Sequence, residues 1–146
     1  MSRYDAVARA AEELLDDLQR SYRVLVTSVH MDDWPEARAT RLVPAGDGSP
    51  LTIGVLPDGR VVARRGHWDA YRFPMRDDDD VDEAVEGLRG FVAATVEGTF
   101  TEELEPDGLV VRDPYAVHAN GLREPEYNAL ARRATPGRHT WAPWRG

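Results

Sequence analysis

Hydrophobic and polar positions alternate most clearly over residues 51–66, LTIGVLPDGRVVARRG, where Leu51, Ile53 and Val55 lead into Pro57-Asp58-Gly59 and Val61 and Ala63 lead out. Period-two alternation on both sides of a Pro-Asp-Gly turn predicts a β-hairpin, since proline pre-sets φ and glycine takes the positive φ that closes the loop. A hairpin alone is marginal in water and needs flanking strands and a covering helix. Both are legible. Over residues 4–20, Tyr4, Val7, Ala8, Ala11, Leu14, Leu15 and Leu18 fall at helical spacing, with Glu12, Asp16 and other acids opposite and Ser2 placed as N-cap. Residues 22–31, YRVLVTSVHM, are apolar on both parities, the pattern of a central strand covered on two sides. Residues 36–43 form a weaker alternating run that fits an edge or a partly wet face, and residues 67–73 form a fifth strand. Residues 81–97 form a second amphipathic helix with Glu86 on its acidic face, entered through Asp80 and stopped by Gly98.

The expected fold is therefore α+β: an antiparallel five-stranded meander covered by an N-terminal and a central amphipathic helix, in the order α-β-β-β-β-β-α. Leu14, Leu18, Val26, Ile53, Leu88 and Val92 are its predicted core. Residues 1–105 read as an acidic α+β domain. Residues 106–146 read as a mostly irregular C-terminal extension, with a helical candidate over 126–134, repeated prolines, and Trp141 and Trp144 as anchors to be docked on the domain or on a neighbour.

Composition narrows the chemistry. The 146 residues contain no cysteine, which excludes disulfides, thiolate metal sites and a cysteine nucleophile. All 18 basic residues are arginine, and the net charge of −8 disfavours nucleic acid and anionic membrane. The charge is uneven: residues 1–105 hold 12 arginines against 22 acids, net −10, and residues 106–146 hold 6 against 4, net +2. No apolar run approaches the roughly 20 residues that cross a bilayer. The start of the chain leads into a charged helix, so a cytoplasmic location is expected.

The Asp77-Asp78-Asp79-Asp80 run invites a metal reading, but consecutive aspartates diverge and the calcium-loop pattern is absent, so helix-starting solvated acid is expected and no metal. His30, His67, His118 and His139 show no zinc spacing, and no nucleotide-binding or acyl-enzyme motif occurs, so no cofactor is implied. One constellation remains. His30, Arg41, Arg65 and His67 fall on strands or strand ends, near Trp68 and Tyr71, and an arginine/histidine pocket would suit a carboxylate-bearing ligand, with His30, Arg41 and His67 as its weak catalytic candidates.

In element order and acidity, residues 4–98 look broadly like small acidic binding proteins of bacteria, among them toxin-immunity proteins and type III secretion chaperones, which implies binding of another protein. On that reading the contacts are Trp141, Trp144, Arg138 and Arg145 of the tail and Glu12, Asp16 and Glu86 of the helices, and the partner is a foreign protein or a second copy joined through the C-terminal arm. The competing expectations are a small-molecule enzyme or carrier of biosynthetic type using the His30/Arg41/His67 pocket, and a structural subunit of a larger assembly.

Overall fold

The computed structural model describes residues 2–67, 69–105, 108–119 and 137–146. Helix α1, Asp5–Ser21, is followed by strands β1 Val24–Val29, β2 Arg38–Pro44, β3 Leu51–Val55, β4 Val61–Arg65 and β5 Asp69–Phe73, then by helix α2, Val81–Glu97. The five strands form one antiparallel meander in chain order. At the central hairpin Val55 pairs with Val61, the Leu56 N–H donates to the Arg60 carbonyl at 2.8 Å, and Asp58 accepts the Arg60 N–H at 3.0 Å. Gly59 closes this turn at φ +93°, and a Cβ there would lie 2.8 Å from the Tyr4 backbone, so the turn abuts the start of α1.

Both helices lie on one face of the sheet. Val7, Ala11 and Leu18 of α1 and Leu88, Phe91 and Val92 of α2 bury against Leu42, Leu51, Ile53, Val61 and Ala63. Asp80 caps α2 as expected, its carboxylate accepting the Asp82 and Glu83 N–H groups at 2.7 and 3.3 Å, and Gly98 ends it in the left-handed region. At α1 the cap differs from expectation. Tyr4 is the N-cap with no side-chain bond, and Ser2 acts two residues outside it, its hydroxyl accepting the Tyr4 N–H and its carbonyl the Asp5 N–H, each at 3.2 Å.

The strand order corrects one expectation. β1, expected to be central, is an edge strand, with Val26 41 % and Leu25 65 % exposed, so Val26 is not core. β2 lies between β1 and β3, and of its two expected settings, an edge or a partly wet face, it has the second, with Arg38 and Arg41 exposed. Leu14 is only partly buried against the core.

Beyond α2 the chain builds a second antiparallel sheet, in the order β8-β7-β6-β9, from β6 Thr101–Glu105, β7 Gly108–Asp113, β8 Ala116–Ala119 and β9 Gly137–His139. The 106–146 segment expected to be mostly irregular thus contributes three strands, and the β6–β7 hairpin spans the expected boundary at 105/106. Trp68, Pro106, Asp107 and the 126–134 helical candidate lie outside the described residues. The last residues return to the first sheet: Ala142 bridges Gly48, and the Trp144 N–H donates to the Val96 carbonyl at 2.8 Å. The tail crosses Gly98 so closely that a Cβ there would lie 2.6 Å from the Trp141 carbonyl oxygen. Among the described residues, no helix is long and apolar enough to cross a membrane.

Candidate functional site

Directly paired residues of an antiparallel sheet project to the same side. The register Arg41–Thr52, Thr52–Arg64, Arg64–Ala70 therefore lays Arg41, Thr52, Arg64 and Ala70 in one row. Leu51 and Ile53, on the opposite parity, face the helices, so this row lies on the face the helices leave uncovered. One end of that face is closed by an apolar cluster in which Met31, Ala39 and Val62 are buried and Trp34 and Ala37 pack from the β1–β2 connection. The other end is open. It forms a cleft of about 690 Å³ floored by Arg41, Thr52 and Arg64 and walled by His30 and Asp33 on one side and Gly66 and His67 on the other.

The cations of this cleft are differently engaged. Arg64 reaches Asp33 at 2.6 Å and lies over the Trp34 ring at 5.6 Å, which fixes its guanidinium. His30 faces Asp32 at 3.6 Å. Arg41 is exposed and makes no hydrogen bond or ion pair among the described residues. The His67 ring stands 4.8 Å from Trp141 and 5.1 Å from His139, and Trp141 stacks on Phe100 at 6.2 Å, so the tail backs this wall with aromatic surface.

His30, Arg41 and His67 line the same cleft, but Tyr71 does not, its side chain joining the helix-side core. The tail residues have other surroundings. Trp144 is 5 % exposed, its indole Nε1 donating to the Ser49 carbonyl at 2.9 Å and its ring set edge-on to Tyr22. Trp141 is partly buried, Arg138 faces Glu103 at 3.6 Å, and Arg145 is exposed with its carbonyl accepting the Arg23 N–H at 3.4 Å. Glu12, Asp16 and Glu86 lie exposed on the helices, Glu12 with Arg38 at 4.0 Å and Glu86 with Arg89 at 3.2 Å. The side chain of His118 is outside the described residues. Among the described residues, no group of three or more His, Asp or Glu is placed to hold a metal ion.

Sequence reasoning missed a buried ionic cluster beneath the cleft wall. Arg65 is enclosed, its Nε 2.7 Å from Asp69 Oδ2, its Nη2 2.8 Å from Asp113 Oδ2, and its Nη1 donating to the Phe91 carbonyl at 3.1 Å. Phe91 and Phe100 cover the guanidinium at 4.0 and 4.2 Å from their ring centres. Glu102, also buried, accepts the His67 N–H at 2.8 Å and the Asp69 N–H at 3.1 Å, which holds the β4–β5 turn and places His67. Burial pushes the Asp69 carboxyl up from 3.8 to about 6 against the pull of Arg65, with Glu102 and Asp113 adding to the rise, and burial also raises the Tyr71 hydroxyl. The available signal was parity: Arg65 follows Val61 and Ala63 on the inward side of β4, where an unpaired arginine would be costly.

A second cleft, about 440 Å³, lies between β5, α2 and Tyr115 and is lined by Tyr71, Phe73 and Phe91. Its arginine is Arg65, already held by two carboxylates. The first cleft therefore has the stronger claim as a polar-ligand site.

No curated protein and no solved structure matches the chain. A family model does, over residues 1–146, and the chain belongs to that family, DUF6226, a family of unknown function.

Proposed function

We propose that this protein binds a small anionic molecule, a carboxylate or phosphate, in the cleft over the uncovered face of its first sheet. The observation that carries the reading is Arg41: in a chain of net charge −8, its guanidinium stands unpaired among the described residues at the floor of a 690 Å³ cleft, beside Arg64, His30 and His67. Two arginines, Arg41 on β2 and Arg64 on β4 with β3 between them, present flat donor forks suited to carboxylate or phosphate oxygens. Thr52 adds a hydroxyl between them, and the imidazoles of His30 and His67 add donors from the walls. Arg64 is pre-oriented by Asp33 and Trp34, which lowers the entropy lost on binding. A binding or carrier role needs only these groups. The protein-binding alternative relied partly on Trp144, whose indole is buried within its own chain.

The test is thermal unfolding against a panel of mono-, di- and tricarboxylates and phosphate monoesters, run on the wild type and on Arg41→Ala. One chemical class is expected to raise the wild-type midpoint in a concentration-dependent way, as preferential binding to the folded state requires, and to leave Arg41→Ala nearly unshifted. A panel without effect on the wild type, or equal shifts in both proteins, would contradict the reading.

A further inference from the structure

β1 is placed where its sequence does not belong. Its six residues, VLVTSV, carry no charge and are apolar on both parities, the composition of a strand covered on two sides and paired on two edges. Yet it ends the sheet, with Leu25 65 % exposed on one face and Val26 41 % on the other. The usual protections of an edge are missing as well: β1 has no proline and no charged residue, and its register with β2 runs through six consecutive pairs without a bulge. The opposite edge of the same sheet, β5, differs, since both its ends, Asp69 and Phe73, are buried.

The hydrogen-bond alternation shows what β1 offers. The Ala45 N–H donates to the Arg23 carbonyl, and Leu56 pairs with Arg60 across the central hairpin, two contacts that fix the same alternation through the sheet. Leu25, Thr27 and Val29 thus direct their backbone groups to β2, as does the Arg23 carbonyl, while the Arg23 N–H goes to the Arg145 carbonyl. Val24, Val26 and Ser28 direct theirs outward.

We propose that a second copy of this chain pairs antiparallel with β1 about a two-fold axis through Val26, joining the two five-stranded sheets into one of ten. This register sets Val26 opposite the partner's Val26, Val24 opposite the partner's Ser28 and Leu25 opposite the partner's Thr27, pairs that are all apolar or hydroxyl-bearing, and it sets Val29 opposite the partner's Arg23, so no like charges meet. A two-fold arrangement requires the strand to be complementary to its own reverse, and this strand is. The pairing also gives β1 a neighbour on both edges, which satisfies the outward backbone groups that its uncharged sequence leaves unprotected in the monomer. It is independent of what the cleft binds and does not use the C-terminal arm.

Sedimentation equilibrium on the wild type, Val26→Lys, Val26→Glu and an equimolar mixture of the two variants is the test. Residue 26 turns its backbone away from β2 and is partly exposed, so both variants should fold, as circular dichroism will verify. The wild type is expected at twice the 16.3 kDa chain mass, each variant alone at the single-chain mass because like charges face each other on the axis, and the mixture again at twice the mass. A wild type of single-chain mass at every concentration overturns the proposal, as does a dimer that persists in both variants or a mixture that stays monomeric. Because the chain has no cysteine, a spin label on Val26→Cys gives an independent reading: dipolar broadening that dilution with unlabelled protein removes supports the axis at Val26, and its absence overturns it.

Discussion

Arg65 links four elements through a single guanidinium: Asp69 of β5, Asp113 of β7 and the Phe91 carbonyl of α2 all meet it, and Phe100 covers it on the way into β6. Replacing it by leucine strands two buried carboxylates, so Arg65→Leu should cost about 3–5 kcal/mol in chemical denaturation. Arg38→Ala removes only a 4.0 Å contact between exposed groups and should change stability by less than about 1 kcal/mol. A small effect at Arg65 would mean that the cluster does not couple the two sheets. Asp69 adds a pH signature. Its folded value, about 6, lies above its ordinary 3.8, so its contribution to stability is fully present below about pH 4, falls as pH rises, and is lost above about pH 6. Measured by urea unfolding, the stability difference between wild type and Asp69→Asn should therefore decline from pH 4 to 6 and then level. A difference that rises over this range would show that attraction to Arg65 outweighs burial. At this scale, local features were the legible ones: Asp80, Gly59 and Gly98 do their work within a few residues of themselves. Glu102 was not legible, because its partners are backbone groups 35 and 33 residues away.

The elements formed where periodicity and punctuation agreed, as in the central hairpin and the two helices. Leu88 is fully buried on α2 facing the sheet, and Leu88→Ala should cost about 2–5 kcal/mol by urea unfolding through lost transfer energy and a cavity. A surface-like effect would place α2 away from the sheet. The misread strands have a common cause. Pattern reports which faces are apolar, and it does not report what lies alongside. β1 is apolar on both parities yet ends the sheet, and the alternation of β2 suits an edge and a wet face equally, of which only the wet face holds, with Arg41 turned to the cleft. β7 and β8 were hidden by their brevity and by the prolines around them, since their regularity comes from pairing with β6 and with each other and not from a local repeat.

Across the whole molecule, the arm and the edge strand make separable statements about assembly. Trp144 joins both helices and the first sheet in one core, so Trp144→Ala should cost about 3–5 kcal/mol while leaving the sedimentation mass of the folded protein unchanged. A change of mass on that substitution would move the interface to the arm. The proposed binding site lies on the face that the helices leave open. An acidic chain covers one face of its sheet with two helices and gathers Arg41, Arg64, His30 and His67 on the other, and the convergence was legible in part because Arg41 lies within β2 while His30 and His67 lie just past the ends of β1 and β4. Arg64 was not singled out, because its role depends on Asp33 and Trp34 folding over the sheet. The most direct measurement is an amide chemical-shift titration of the ¹⁵N-labelled protein with inorganic phosphate and with citrate, on the wild type and on Arg41→Ala. Saturable shifts concentrated at Asp33, Thr52, Arg64, Gly66 and His67 are expected for at least one of the two anions, with their loss in Arg41→Ala; shifts scattered over the helices, or unchanged by the substitution, would rule out binding in the cleft.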